Sequence, residues 1–254
     1  MSTTPTDSSG NEQPRDAAYW AQQTSVFNVS HQPTGALVLN VEGRQGLSPL
    51  QGFGQMWEKL YRVRLNGITE SPAEVIKAWK EHFPQFWPKG NRFYAPLTGI
   101  APGEVAILRL APGGMPLSTG VMVLYADDES FTLMTPQGHV FAGWITFSAY
   151  EDDGCIVAQA QILMRANDPL YELGMRFGGN KTEDKFWIHT LTALAAHFGV
   201  QTNVETQITC VDRKIQWSKA SNIWQNAAMR TMLYSMTTPL RWIRKRSQSC
   251  SKYP

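Results

Sequence analysis

Residues 155–199 read CIVAQAQILMRANDPLYELGMRFGGNKTEDKFWIHTLTALAAHFG, and the spacing of apolar residues changes within this stretch. The part up to Ala166 has the composition of a strand, whereas from residue 183 onward the apolar side chains recur at helical spacing. Those side chains are Trp187, Leu191, Leu194 and Phe198. Because Gly199 is a favourable C-terminal stop, the stretch predicts a strand followed by a long closing helix over residues 183–198.

Asp168 and Pro169 stand between this strand and this helix. Asp168 is a good N-cap residue and Pro169 suits the first helical position, so a short helix is predicted to begin here. The alternative role for Asp168 is that of a general base.

Further strand-like segments precede this stretch in series, and two acidic turns separate them. DDE at residues 127–129 and EDDG at residues 151–154 are typical of tight hairpin turns. The pattern therefore predicts an antiparallel meander of about five strands. Its segments read EVAILRLA, STGVMVLYA, SFTLMT, VFAGWITFSAY and CIVAQAQILMRA.

One more strand and one helix are predicted ahead of the meander. WEKLYRVRL at residues 57–65 alternates apolar and charged side chains, as a half-buried strand does. Ser71, Pro72 and Glu74 then form a capping-box pattern at the start of a helix. The chain is therefore α+β.

Four parts of the chain are expected from these patterns. Residues 1–16 are predicted to be a disordered leader, because they contain almost nothing apolar. Residues 17–55 are predicted to be a partly ordered N-terminal extension, and residues 56–199 the folded domain. Residues 200–254 are predicted to be a basic C-terminal extension.

The C-terminal extension differs from the body in charge. Nine of the 23 Lys and Arg residues lie after Asp212, where no Asp or Glu occurs. SNIWQNAAMRTMLYSM at residues 221–236 predicts an amphipathic helix, and PLRWIRKR follows it closely. An anionic membrane surface suits this composition. The residues expected to meet it are Trp224, Arg241, Trp242, Arg244, Lys245 and Arg246. The alternative is a helix packed on the domain, followed by a solvated charge run.

Cysteine usage and the N-terminus bear on the compartment. The three cysteines are far apart, which argues against a disulfide framework and favours a reducing compartment. The first residues lack the apolar run of a signal peptide. A cytoplasmic protein is predicted, with peripheral attachment to the inner face of the membrane as an addition. A nucleic-acid partner is not expected, because the body is acidic and would repel phosphate.

The order of one strand, short helices, a strand series and a long closing helix resembles the helix-grip fold of the START-related (SRPBCC-like) superfamily. Within it, the chain resembles an uncharacterised bacterial branch that carries the stretch Thr-x-x-Gly-His-x-x-x-Gly-x-x-x-Phe. The residues that match are Thr135, Gly138, His139, Gly143 and Phe147. The branch usually has two glutamates after the second glycine, whereas this chain has Trp144 and Ile145. The resemblance implies a curved antiparallel sheet wrapped around the closing helix, with an apolar cavity between them.

Several side chains are candidates for contact with a ligand in such a cavity. His139, beside a glycine at the mouth of a strand, could offer a neutral imidazole, or it could hold the turn. Arg165 could bind a carboxylate of the ligand, or it could pair with a neighbouring acid. Three tryptophans fall on elements expected to surround the cavity, where they could line it or pack the core. They are Trp79, Trp144 and Trp187.

No cofactor or metal is expected. The five histidines lack the spacing of zinc ligands, and no Gly-x-Ser-x-Gly elbow occurs. The leading hypothesis is binding of an apolar or amphipathic small molecule, lipid-like or polyketide-like, between sheet and helix. The alternative is a cyclase or dehydratase that uses His139 and Tyr61 for proton transfer. A third hypothesis is a membrane-peripheral adaptor that acts through its basic tail.

Overall fold

The computed structural model describes residues 17–111 and 116–237. Within them lies one antiparallel sheet of nine strands, whose order is β3-β4-β5-β6-β7-β8-β2-β9, with β1 paired to β6. The strands are β1 Gly46–Leu47, β2 Met56–Leu65, β3 Arg92–Tyr94, β4 Val105–Leu110, β5 Leu117–Ala126, β6 Ser130–Pro136, β7 Phe141–Asp152, β8 Cys155–Ala166 and β9 Glu205–Asp212. The predicted meander is β4 to β8.

The hairpin between β7 and β8 follows directly from its turn residues. Asp152 pairs with Cys155, so only Asp153 and Gly154 connect the two strands. Both have positive φ, 50° and 70°, which is the conformation of a type I′ turn. This turn matches the right-handed twist of the strands and sets the register of the two longest strands of the sheet.

Strand β2 joins the end of the meander rather than its beginning. It pairs with β8 along its full length and with β9 on its other edge. Strand β9 comes from the segment predicted to be a C-terminal extension, and it forms an edge of the same sheet. The side chains of β9 are almost all exposed or partly exposed, so it carries no apolar alternation that a sequence pattern could detect.

The described residues also form four α-helices: α1 Pro72–His82, α2 Pro169–Gly174, α3 Asn180–His197 and α4, residues 227–237. The predicted caps are confirmed. The Ser71 hydroxyl accepts a hydrogen bond from Glu74 N, and the Asp168 carboxylate accepts from Leu170 N and Tyr171 N. A wide turn, Met175–Gly179, separates α2 from α3. Non-helical backbone at Phe177 and a φ of 110° at Gly178 break the helix there.

The inner face of the sheet packs on α1 and α3 through interlocking aromatic rings. Phe131 and Phe147 stack with centroids 4.6 Å apart, and Trp79 on α1 meets Phe147 edge-on at 5.1 Å. Leu191 and Leu194 of α3 are fully buried in the same cluster. The helix-grip fold is confirmed: an antiparallel sheet holds the long helix on one face.

The outer face of the sheet is covered by the segments before and after the predicted domain. Phe27 and Val41 are fully buried against Val105 and Met122. On the same side, Thr231 of α4 accepts a hydrogen bond from Ser118 N at 3.2 Å.

Some predictions fall outside the described residues. They are the leader, residues 1–16, and the tail residues Arg241, Trp242, Arg244, Lys245 and Arg246. Within residues 17–111 and 116–237, no helix has the length and apolar content needed to cross a bilayer.

Candidate functional site

A buried cluster of charged side chains lies under the start of α3. Lys59 on β2 is 1% exposed, and its ammonium lies 2.6 Å from a Glu183 oxygen and 2.8 Å from an Asp184 oxygen. It also donates to Asn180 Oδ1 at 3.3 Å. Tyr61, two residues along the same face of β2, donates its hydroxyl proton to Asp184 Oδ1 at 2.7 Å. One strand and one helix end thus build a lysine, tyrosine and double-carboxylate site.

Burial controls the protonation of this cluster. Desolvation raises the pKa of the Glu183 carboxyl, and the nearby charge of Lys59 opposes that rise. Desolvation, followed by the charge of Glu183, raises the pKa of Tyr61 above its ordinary value. Tyr61 therefore remains a protonated donor at neutral pH.

A small cleft of about 40 Å³ adjoins the cluster at the helix break. Asn180 belongs to both, because it contacts Lys59 and lines the cleft. The apolar side chains that line the cleft are Trp57, Phe141, Met164, Ala166 and Met175. The polar ones are Gln55, Glu172, Arg176 and Asn180. The cleft therefore has an apolar floor and a polar rim, as ligand sites do.

Glycines shape the surroundings of this cleft. A Cβ on Gly54 would collide with the Glu172 carboxylate, which in turn pairs with Arg176 at 2.9 Å. A Cβ on Gly179 would come within 2.9 Å of Gly174 O, so the wide turn also requires a glycine there. These close approaches are local packing requirements that a sequence pattern does not reveal.

A larger hollow of about 490 Å³ lies on the surface between α1 and the loop at residues 98–100. Its lining is mostly charged or small: Ala73, Glu74, Lys77, Lys80, Glu81, Thr98, Gly99, Ile100 and Asp128. It is more open to solvent than the smaller cleft.

His139 lies in the turn between β6 and β7, where its Nδ1 accepts a hydrogen bond from Phe141 N at 3.1 Å. Burial lowers the pKa of its imidazole to about 4, so the ring is neutral at physiological pH. Phe141, at the start of β7, pairs with Ala166 of β8. Tyr61 of β2 pairs with the same β8 residue as Phe147, which is six residues further along β7. At 3.3 Å per residue the two predicted proton-transfer groups are about 20 Å apart along the sheet. The structure does not bring His139 and Tyr61 together.

The stretch that carried the family resemblance has a structural explanation. Thr135 Oγ1 accepts from Gly143 N and donates to Gly143 O, both at 3.1 Å. A Cβ on Gly143 would collide with Leu163 O, and one on Gly138 would collide with Gln225 O. The two glycines therefore allow close approach of the backbone to β8 and to the segment before α4.

Two of the predicted tryptophans lie on the inner face. Trp79 is fully buried, and its indole N–H has no hydrogen-bond partner among residues 17–111 and 116–237. Trp187 is half-buried, with its ring 5.6 Å from that of Phe147. Both fill the interface between sheet and helices.

Trp144 and Arg165 lie away from that interface. Ile145 and Phe147 belong to the inner core, so strand alternation places Trp144 on the opposite face. Arg165 forms an ion pair with Asp212 and donates to Gly54 O at 2.6 Å. It follows the second of its predicted roles and pairs with a neighbouring acid.

The sequence patterns missed the residues of the buried cluster, although one signal was present. In the strand at residues 57–65, Lys59 occupies the inward phase that Trp57, Tyr61 and Val63 share. A lysine at an inward position needs a buried partner. Adjacent acids at the start of the predicted helix, Glu183 and Asp184, could have supplied one.

No protein-family model and no curated protein matches the chain. Solved structures with 11–20% sequence identity are similar to part of this chain. The di-domain ARO/CYC StfQ from the steffimycin biosynthetic pathway has 11% identity and a TM-score of 0.45, over 57% of this chain and 53% of that one. The match thus spans about half the length of StfQ.

Two further solved structures match over nearly their whole length. A START superfamily protein from Mycobacterium smegmatis has 20% identity and a TM-score of 0.38, covering 57% of this chain and 98% of that one. Ginseng major latex-like protein 151 from Panax ginseng has 14% identity and a TM-score of 0.36, covering 57% and 99%. At this level of identity no residue role is transferred from these proteins.

Proposed function

We propose that this protein binds a small amphipathic molecule at the end of the sheet–helix interface where α3 begins. The observation that carries the proposal is the buried cluster of Lys59, Tyr61, Glu183 and Asp184 beside a cleft with an apolar floor. Ionisable groups buried next to a cleft are more common at functional sites than elsewhere.

Stability alone is a weak reason to keep this cluster. Removing a lysine and two carboxylates from water costs several kcal/mol per ion, and apolar residues of similar volume often stabilise a protein as well or better. A role toward a bound molecule supplies a reason for the cluster to be there.

The rest of the interface leaves little room for a ligand. Trp79, Phe83, Phe131 and Phe147 meet with ring centroids 4.6–6.2 Å apart, which is the spacing of a packed aromatic core. The ligand is therefore proposed to enter at the polar end, over Trp57.

Entry requires movement of the helix break. A cleft of about 40 Å³ is the size of roughly one water molecule, whereas ligand pockets span about 300–1,000 Å³. The wide turn Met175–Gly179 covers the cleft and contains adjacent glycines at 178 and 179. We infer that this turn swings outward as the ligand enters, as hinged loops do around many sites.

The charges of the cluster select the polar group of the ligand. Lys59 is already shared between two carboxylates, so an anionic ligand would meet repulsion from Glu183 and Asp184. A neutral hydroxyl can donate to a carboxylate and accept from the second N–H of the Asn180 amide, whose other N–H donates to Met175 O. The proposed ligand is therefore an apolar molecule that carries a neutral hydroxyl group.

The test uses the full chain and the neutral fluorescent probe 1-aminoanthracene, displaced by n-decanol or by decanoate. We expect decanol to compete at least about tenfold better than decanoate, a difference of about 1.4 kcal/mol. Met164→Trp, which fills the cleft, should weaken binding of the probe. Leu163→Trp is the matched control, because Leu163 is the neighbouring residue on the other face of β8.

Equal probe affinity in the two tryptophan variants would place the ligand elsewhere and overturn the proposal. Stronger competition by decanoate would overturn the selection of a neutral group. Native mass spectrometry of the protein from its own host would then identify the molecule that it carries.

A further inference from the structure

Helix α4, residues 227–237, presents its apolar side chains to solvent. The exposed fractions are 41% for Met229, 54% for Met232, 57% for Leu233 and 66% for Met236. These positions are three or four residues apart, so they form one stripe along the helix. A surface helix normally turns such a stripe toward the core, and here the orientation is reversed.

Polar and small residues hold the opposite side of the helix on the domain. Asn226 caps the helix by accepting from Met229 N at 3.0 Å, and its amide donates to Asp168 Oδ2 at 2.8 Å. Ala227 is fully buried, and its N–H donates to Gly138 O at 2.9 Å.

The next turn of the helix is held by Asn40. Its side-chain amide donates to Thr231 Oγ1 at 3.0 Å, and its side-chain oxygen accepts from Arg230 Nε at 3.0 Å. These bonds orient α4 without help from the methionines, and the apolar stripe stays exposed among the residues that the structure describes.

The charge of this region indicates what the stripe contacts. Between residues 213 and 237 there are four basic residues and no acidic one, and five further Lys or Arg residues follow in the sequence to residue 254. An apolar helix face flanked by cations is the composition of segments that lie in the interface of an anionic bilayer. Methionine is flexible and adapts to an irregular surface such as lipid chains.

We infer that α4 docks the protein on an anionic membrane surface, with Met229, Met232, Leu233 and Met236 inserted among the lipids. The inference goes beyond the proposed ligand binding and does not depend on it. Trp224, which precedes the helix in the sequence and is 82% exposed, is included in the proposed lipid contact. The cations after residue 237 then strengthen binding by about fivefold for each one near the surface.

The experiment is co-sedimentation of the full chain with phosphatidylcholine vesicles that contain either 30% phosphatidylserine or none. We expect at least about tenfold stronger binding to the anionic vesicles at low salt. Most of this preference should disappear at 1 M salt, where charges are screened beyond about 3 Å.

A matched pair of variants separates the helix face from general surface charge. Leu233→Glu and Leu97→Glu introduce the same carboxylate at exposed leucines, 57% and 80% exposed. Leu233→Glu should weaken binding to anionic vesicles about tenfold or more, while Leu97→Glu should bind as the wild type does. Because both side chains are exposed, both variants should unfold at the temperature of the wild type.

Three outcomes would overturn the inference. One is equal binding of the two glutamate variants, and another is equal binding of the wild type to neutral and anionic vesicles. The third is dimerisation in sedimentation equilibrium that Leu233→Glu abolishes, in the absence of vesicle binding. The stripe would then contact a second copy of the chain.

Discussion

The two ends of the interface between the sheet and α3 differ in side-chain chemistry: one is apolar and the other is ionic. At one end Leu191 and Leu194 pack without exposure among aromatic rings. At the other, Lys59 is held by Glu183 and Asp184 beside a cleft and a broken helix. Close packing of apolar groups stabilises one arrangement strongly, whereas an ionic cluster adds little net stability but fixes specific partners. The packed end thus supplies stability, and the ionic end is the one that we propose to open for a ligand.

The largest effect is expected at the packed end. Trp79→Ala should lower the free energy of unfolding by about 4 kcal/mol, because it removes a fully buried ring from the aromatic core. Urea denaturation measures the loss. A loss below about 1 kcal/mol would show that the packed end is not the source of stability.

The next effect is expected at the polar end. Lys59→Met should cost about 3 kcal/mol at neutral pH, because it leaves Glu183 and Asp184 buried without their cation. Adding Glu183→Gln and Asp184→Asn should recover most of this loss, since the three changes together remove every charge.

The pH dependence of that variant provides its control. Burial raises the pKa of Glu183, so the folded chain binds this proton more tightly than the unfolded chain does, and the contribution of Glu183 to stability falls as pH rises above the ordinary glutamate range. In Lys59→Met the two carboxylates lose the cation that pairs with them, so the loss of stability should shrink as pH falls toward 4 and they take up protons. A deficit that is constant from pH 4 to pH 8 would contradict an electrostatic origin.

His139 is expected to give an effect of similar size, but only in acid. Its pKa is lowered from 6.5 to about 4, so its contribution to stability is complete above pH 6.5 and is lost as pH falls through 4. That shift corresponds to about 3 kcal/mol. His139→Asn keeps an acceptor for Phe141 N but cannot gain a proton in this range.

The measurement for His139 compares urea denaturation of the two proteins at pH 7 and pH 4. The wild type should lose about 3 kcal/mol more than His139→Asn between these values. Equal losses would mean that the imidazole takes up its proton without opening the turn.

The smallest effect is expected where the two ends meet. Trp187 is half-buried and touches Phe147 and Phe186, so Trp187→Ala should cost about 2 kcal/mol, half the value for Trp79. Denaturation of both variants under the same conditions measures the ratio. If Trp187→Ala lowers the free energy of unfolding as much as Trp79→Ala does, close packing continues up to the Lys59 cluster.

Local chemistry made several elements predictable. The capping box at Ser71, the N-cap at Asp168 and the Asp153-Gly154 turn each depend on residues within four positions of one another. The closing helix was predictable for the same reason, since its apolar period repeats every turn. Such features survive into the folded chain because tertiary packing reinforces them.

Other features arise from contacts between distant segments. Strand β9 has exposed side chains and forms only because β2 offers an unpaired edge. In the stretch Thr135 to Phe147, which carried the family resemblance, Gly138 and Gly143 allow close approach of the backbone of residue 225 and of β8, and no local pattern indicates these contacts. Sequence patterns gave Trp79 and Trp144 the same candidate role. Only the alternation of side chains along β7 in the folded sheet shows that Trp144 lies on the face opposite the packed core.

Neighbouring residues and composition were enough to predict the α+β class, the meander, the helix caps and the charge asymmetry. Two other features could be seen only in the folded chain: Lys59 pairs with Glu183, 124 residues away, and α4 turns its methionines outward. The physical reason is that a buried charge or an exposed apolar stripe is defined by what surrounds it. Those surroundings exist only once strands and helices that are remote in sequence have packed together.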